Sequence, residues 1–503
     1  MKIRCLALII LFCAQSTAFA ADLIEVYQQA LYSDPIYQQA ISQRLATKQG
    51  VPISLSSLLP AINLTANPSL TRSAYSGANT AGIGFTGRNN TARYYELALT
   101  ASQTVFDYAQ FMNLASSIAT SKAADATLNA ALQSLMTRVA NAYFAILRDE
   151  DNLSYSEASK LAYAEQLDQV KQQYDVGLKT ITDVYTAQAS YDTAVANYIA
   201  AQTTLSNDRE NLRVITGKYY PHIATLSEDF PLIKPQPVNV EEWVRRAQMQ
   251  NWSIRSSQYG VDSARSAVKQ QFGGHLPTVS VQGQLDRVYT HNINGYFSIA
   301  QRNGPSTETD RQIMLNINMP IFEGGSVVAN TNQAAYNYQI SQQQLEQTVR
   351  NTINTTRQSF QGVIAGISQI QADKQAIKSS ISSLEGMEAS YKVGTETLVD
   401  VLNQQQKVFQ AQTQYATDRY TFVNNILALK QAAGTLSFDD LRAINAWLID
   451  KARPSIQKSS AHRTKSALRH FKRHKQTVAS VSKKHHTVKK HLALKHQKRT
   501  HKA

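Results

Sequence analysis

Tyr174-Asp-Val-Gly-Leu-Lys-Thr-Ile-Thr-Asp-Val184 and Tyr391-Lys-Val-Gly-Thr-Glu-Thr-Leu-Val-Asp-Val401 are two versions of one segment. Tyr, Val, Gly, Thr, Asp and Val stand in register at an offset of 217 residues. The same offset relates Glu25 to Glu242, Ala30 to Ala247, Leu59-Pro60 to Leu276-Pro277, Leu212 to Leu429 and Gly217 to Gly434. Val105-Phe106-Asp107 pairs with Ile321-Phe322-Glu323 at 216. A period this long marks a duplication and not a solenoid. The two units are residues 21–217 and 241–434. Between them, 218–240 carries Pro221, Pro231, Pro235 and Pro237 and reads as a connector; 435–450 closes the folded body.

Around each quoted segment lie long stretches poor in Gly and Pro. Residues 109–176 number 68 with neither, and 326–393 number 68 with no Pro and three Gly. Residues 178–216 and 395–433, at 39 each, have neither. Leu128, Leu132, Leu135, Val139, Ala142 and Ile146 step alternately by four and three. Phe360, Val363, Ile367 and Ile370, then Ile377, Ile381 and Leu384, do the same. Such a seam predicts long packed helices, each 68-residue stretch roughly 100 Å long. The Ala, Gln, Asn, Ser and Thr filling the remainder suit struts wetted on one side.

Upstream of each long helix the period changes to two. Ile62, Leu64 and Ala66 alternate with Asn63, Thr65 and Asn67; Tyr95, Leu97, Leu99 and Ala101 alternate with Glu96, Ala98, Thr100 and Ser102. Val279, Val281 and Leu285 alternate with Ser280, Gln282 and Gln284, and Ile313, Leu315, Ile317 and Met319 with Gln312, Met314, Asn316 and Asn318. Four strands with one apolar and one polar face suit the wall of a membrane barrel. Polar loops over 71–92 and 287–309 are expected to join each pair. A small barrel needs about eight strands, and lipid tolerates no open sheet edge. The strands therefore demand an oligomer, a dimer of eight strands or a trimer of twelve.

The ends of the chain differ from this body. Residues 1–20, with Lys2, Arg4, the apolar run Leu6–Phe12 and the ending Ala18-Phe19-Ala20, read as a secretory signal peptide. Both cysteines, Cys5 and Cys13, lie within it, and the large Phe12 argues against a lipid anchor at Cys13. The formal net charge of +15 invites a nucleic-acid reading, but 451–503 alone hold seventeen Lys and Arg, eight of the eleven His and no acid. Residues 21–450 carry 32 basic against 36 acidic side chains, so the basicity belongs to a tail expected to be disordered. Nucleic acid is not an expected partner. Neither a metal-ligand spacing, a nucleophile elbow nor a phosphate loop occurs, so no enzyme, cofactor or metal is expected.

Val176-Gly-Leu178, Ile181-Thr-Asp-Val184, Leu212-Arg-Val-Ile-Thr-Gly217, Tyr391-x-Val-Gly-Thr395, Val399-Asp-Val-Leu402, Ala433-Gly-Thr-Leu436 and Pro320-Ile-Phe-Glu-Gly-Gly325 together resemble the TolC family of outer-membrane channel-tunnel proteins. The resemblance covers about 22–450 and leaves the basic tail outside. It implies an α+β membrane protein: a homotrimer whose 12-stranded β-barrel in the outer membrane of a Gram-negative bacterium continues into a 12-helix periplasmic tunnel. It also implies an exit duct for tripartite efflux or type I secretion, in contact with outer-membrane lipid. The partners implied are a periplasmic adaptor (membrane fusion) protein and an inner-membrane transporter.

Two groups of residues become candidates. Thr180 with Asp183 and Thr397 with Asp400 have the spacing of capping boxes that start a helix, with Gly177 and Gly394 ending the one before. The resemblance places Val176, Gly177, Leu178, Thr180 and Asp183, with Val393, Gly394, Thr395 and Asp400, at the tunnel tip where the adaptor docks. Asp168 and Glu385 are mates at the 217 offset, six residues before the Tyr of each turn, with Glu388 on the same helix face as Glu385. Six such carboxylates in a trimer would attract cations to a pore mouth. The resemblance implies an acidic ring and a latch at this end, with Asp373 where relatives carry a latch tyrosine. A solvated helix face is the plainer reading of each acid. The rival to the duct is a non-conducting coiled-coil scaffold or adhesin, which has no use for four amphipathic strands.

Overall fold

A computed structural model of the chain describes residues 20–75, 88–294 and 305–449. The expected signal peptide up to residue 19 and the basic tail lie outside these, as do the centres of both expected polar loops. Each duplicated unit reads helix, hairpin of strands, long helix, shorter helix. In the first, α1 (Leu23–Ser33), α2 (Pro35–Lys48) and α3 (Gly50–Ser56) precede β1 (Ala61–Tyr75) and β2 (Arg88–Phe106), then α4 (Tyr108–Asp175) and α5 (Ile181–Thr216). A short β3 (Thr225–Leu226) follows. The second unit runs α6 (Val240–Gln250), α7 (Trp252–Phe272), β4 (Thr278–Asn294), β5 (Ser306–Asn318), α8 (Ser326–Lys392) and α9 (Leu398–Ala432). The body ends with α10 (Phe438–Asn445) and β6 (Leu448–Ile449).

The four long strands form one antiparallel sheet in the order β1-β2-β4-β5, with β1 and β5 as its open edges. Leu64 pairs with Leu99, and Leu99 with Leu285, so the apolar alternations share one face. Strand pairing runs further than the alternation foretold: to Tyr75 and from Arg88 in the first hairpin, to Asn294 and from Ser306 in the second. The expected loops at 71–92 and 287–309 shrink accordingly, because polar residues with ladder partners extend a strand as well as apolar ones do.

α4 and α8 span 68 and 67 residues. The seams are buried where helices cross: Leu135, Val139 and Ile146 in α4, Val363 and Ile370 in α8. One core joins α1, α4, α5, α8, α9 and α10 near the middle of the helical body. The proline-bearing stretch after α5 is not a free connector. Tyr220, Ile223, Leu226 and Phe230 enter this core, and β3 pairs with β6. Tyr143 Oη donates to the carbonyls of Ala21 (3.1 Å) and Ala224 (2.7 Å), fastening that stretch beside the start of the body. The prolines remove amide donors from loops, and the apolar residues between them supply the anchors.

Asp34 caps α2 by accepting the Tyr37 amide at 2.9 Å and also receives Arg138 through both oxygens, at 3.1 and 2.6 Å. Burial alone would raise its carboxyl; Arg138 and the amides of Tyr37 and Ile36 outweigh that and hold it below the usual carboxylate range. Among the described residues no helix is long and apolar enough to cross a membrane.

Candidate functional site at the helix tips

The turns joining α4 to α5 and α8 to α9 are near copies. Val176 and Val393 end the long helices; Gly177 and Gly394 follow with φ of 80° and 84°, left-handed values that cost a side-chain-bearing residue about 1 kcal/mol or more. The Gly177 amide donates to Tyr174 O at 2.9 Å and the Leu178 amide to Gln173 O at 2.8 Å; Gly394 and Thr395 repeat the pattern to Tyr391 and Ser390 at 3.1 and 3.0 Å. Both capping boxes form. Thr180 Oγ1 accepts the Asp183 amide at 3.2 Å while Asp183 Oδ2 accepts the Thr180 amide at 3.0 Å. Thr397 and Asp400 match them at 3.3 and 3.2 Å. Hydrogen bonds from the threonines hold both carboxyls below their ordinary pKa. With the polar groups tied down, Val176, Leu178 and Val393 project as exposed apolar points, each at least 70% accessible.

The two tips sit side by side. Tyr163, Leu167, Val170, Ala187, Ala194, Leu398 and Leu402 form one small core between the hairpins, and Tyr163 Oη donates to Leu402 O at 3.2 Å. Lys179 Nζ stands 4.3 Å from the ring centre of Tyr391, tying one turn to the other hairpin. Asp168 and Glu385 are both exposed, as is Glu388, and Asp168 Oδ2 accepts Gln172 Nε2 at 2.7 Å. Asp168 and Glu385 each lie seven residues before the end of their helix, about 10 Å back from the tip.

Asp373 does not join them. It lies nineteen residues before the end of α8, about 28 Å from the tip, and is buried against α9. Gln369 Nε2 donates to its Oδ1 at 3.0 Å, whereas Oδ2 has no donor. Burial and the neighbouring Asp418 raise its pKa, and a proton held between the two carboxyls would supply the missing hydrogen bond. As a member of a solvent-facing acidic mouth Asp373 is misplaced, because its seam position turns it inward. A groove of about 920 Å³ between α4, α5 and α9, lined by Tyr155, Tyr163, Tyr185, Asn197, Phe409 and Gln410, was announced by no motif. Most of its residues are polar or aromatic, with Ala189, Ala194 and Leu402 among them, which a sequence shows only as a less apolar seam.

Two tandem matches of the outer membrane efflux protein family model, over residues 26–218 and 243–435, fall on the two units. The chain belongs to that family. It is 37% identical over 446 residues to the outer membrane protein TolC of Salmonella enteritidis, covering 88% of each chain. It is 26% identical over 446 residues to the alkaline protease secretion protein AprF of Pseudomonas aeruginosa, covering 88% of this chain and 91% of that one. Among solved structures CusC superposes with a TM-score of 0.69 at 18% identity, over 83% of this chain and 93% of that chain, which supports the same fold. Membership places the chain in the outer membrane as an efflux or secretion channel protein.

Proposed function

We propose that three copies of the chain close one barrel and one helical tunnel and serve as a passive exit duct for efflux or type I secretion. The observation that carries this reading is the four-stranded sheet with an apolar face and two open edges, β1 and β5, where among the described residues no helix is long and apolar enough to cross a membrane. Edge pairing between copies satisfies the backbone that lipid would leave bare. The helix tips would be the gate: Asp168, Glu385 and Glu388 gather cations at its mouth, and Val176, Leu178, Val393 and the adjoining groove receive the adaptor. Binding of the adaptor with its inner-membrane transporter would favour the open tips and shift a two-state population. A scaffold or adhesin would share the struts but not the sheet.

The test is single-channel conductance in a planar bilayer, with the mass of the detergent-solubilised protein measured alongside. A trimer with small, steady conductance, blocked from the tip side by a trivalent cation and released from block by D168N/E385Q/E388Q, is the expected result. A monomer without conductance would overturn the duct. A conducting trimer whose block survives those substitutions would move the gate elsewhere.

A further inference from the structure

Charge on the sheet is segregated by face. By register, Asn67, Glu96 and Val288 lie on one face with Glu308, and Thr65, Ala98, Asp286 and Asp310 lie on that same face. The other face carries Arg72, Arg93, Arg287, Arg311 and His291. Among sheet residues with described side chains, every acid is on the polar face and every arginine on the apolar one. All four arginines are exposed, and none is in an ion pair among the described residues. Unpaired arginine on a lipid-facing surface is costly near mid-bilayer and nearly free at the headgroups.

Their positions on the strands show where they sit. Towards the hairpin loops, the apolar face of β1 runs Ile62, Leu64, Ala66, Pro68, Leu70 and then Arg72; that of β2 runs Ala101, Leu99, Leu97, Tyr95 and then Arg93. On β4, Val279, Val281, Gly283 and Leu285 give way to Arg287; on β5, Ile317, Leu315 and Ile313 give way to Arg311. Every strand thus ends its apolar run in an arginine on the loop side. The border steps down in register across the sheet, Arg287 opposite Leu97 and Arg311 opposite Leu285. A level line around a barrel of tilted strands is such a diagonal. Tyr95 and Tyr289 pair beside the border with ring centres 6.0 Å apart, the aromatic signature of a membrane interface. At the opposite end Phe106 and Phe111 stand 6.2 Å apart.

We propose that this arginine border binds the phosphate groups of phosphorylated lipid in the outer leaflet, with the acyl chains lying on the apolar strand face beneath it. The inference rests on the barrel reading above. A polar helical body stays on the side from which the chain inserts, so the hairpin ends are the ones that reach the outer leaflet. Guanidinium suits the task because its planar fork meets two phosphate oxygens at once.

The purified full-length protein in neutral detergent is mixed with bis-phosphorylated lipid A or with the same lipid enzymatically dephosphorylated, and retained lipids are counted by native mass spectrometry. Wild type should hold the phosphorylated form about tenfold more than the dephosphorylated one, and R72Q/R93Q/R287Q/R311Q should lose that preference. Equal retention of both lipids by wild type, or an unchanged preference in the variant, would overturn the proposal. Should the fourfold variant not fold, R287Q and R311Q singly are each expected to cut the preference severalfold, and the wild-type comparison of two lipids decides without any variant. Conductance of the wild-type protein separates the two failures: pores without lipid preference sink the border alone, whereas no pores sink the barrel.

Discussion

The two helical hairpins share a turn, a length and an ancestor, yet they are held together in opposite ways at the same height. In the first, Arg148 donates to Asp149 at 2.8 Å and to Asp208 at 3.3 Å, and Arg209 to Glu150 at 2.9 Å. The mates at the 217 offset of Arg148, Asp149, Glu150, Asp208 and Arg209 are Ala365, Gly366, Ile367, Asn425 and Ile426, so the second hairpin has no charge there. Its helices approach closely instead. A Cβ on Gly366 would stand 3.2 Å from the Phe422 ring, and one on Gly362 would stand 2.9 Å from Asn425 Nδ2. Duplication preserved the turn, whose geometry is local, while the crossing was rebuilt, because a pair of facing helices can be matched by ions or by shape. An ionic crossing loses strength when water enters and a close-packed one loses it when a helix moves. The comparison assigns the second hairpin the stiffer contact.

The largest expected effect concerns a side chain present in one unit only. Arg419 on α9 is 5% exposed, donates to Ser227 O at 3.2 Å, and stands 5.3 to 5.7 Å from the ring centres of Tyr415, Tyr420 and Phe230. It fastens the proline-bearing stretch to the helices. Its mate Gln202 is exposed. Arg419→Ala should cost about 3 kcal/mol, since it removes the donor to the Leu226 and Ser227 carbonyls and the cation 3.7 Å from Asp151, whereas Gln202→Ala should stay within about 0.5 kcal/mol. Denaturant midpoints of the detergent-solubilised protein measure both; equal shifts would remove the asymmetry.

Next comes the exchange of the crossings. Gly366→Asp puts the first hairpin's residue into the second, where its Cβ crowds Phe422 and its carboxylate finds no arginine; a loss of about 2 kcal/mol is expected. Asp149→Gly in the first hairpin removes a buried carboxylate whose pKa is raised, by burial first and by Asp208 as well, against the opposing pull of Arg148. It should cost less than Gly366→Asp. The reverse order would mean that ions and not close contact set the stiffer crossing.

The shared parts were legible in the sequence and the divergent parts were not, for a physical reason. A capping box, a left-handed glycine and a period of two are local, so Thr180, Asp183, Gly177 and the strand alternations carry their geometry with them. The inward turn of Asp373 depends on which face of a 67-residue helix meets α9, and a heptad drifts enough over that length to swing an acid from solvent to seam. The anchoring of Tyr220, Ile223 and Phe230 needed the partner surface supplied by α4, α9 and β6, which no spacing within 218–240 displays. Arg419 was silent because a lone arginine on a helix looks the same whether it meets water or three rings.

A smaller effect tests the inward acid. Because Asp373 is raised above its unfolded value, its charge opposes folding at neutral pH. That penalty is relieved as pH falls through the folded pKa towards the unfolded one. Asp373→Asn should therefore stabilise the second hairpin by about 1 kcal/mol at pH 7 and by progressively less as pH falls through that window. The first hairpin has Ser156 at the matching position, and Ser156→Ala should leave the pH profile unchanged. A variant gain that is the same at pH 4 and pH 7 would show that Asp373 is not the titrating group.

The smallest effect falls where the hairpins agree. Thr180→Ala and Thr397→Ala each remove one side-chain acceptor from an exposed first turn, so each should speed amide exchange at Asp183 or Asp400 about fivefold and leave the other tip untouched. The sign of the pH effect is set by the lowered carboxyls. Their contribution is complete above the unfolded value and disappears as pH falls through the folded one, so wild-type exchange should approach the variants only in acid. Unequal responses would locate a difference within the turns themselves, and the hydrogen bonds offer one source. Beside Thr180, Lys179 reaches across to Tyr391 of the other hairpin, whereas near Thr397 the Thr395 Oγ1 donates to Ser390 O of its own hairpin at 3.0 Å. If the first tip opens more readily, the contact between the hairpins is weaker than the brace within one. Release of the tips would then begin at Lys179 and Tyr391, before either capping box breaks.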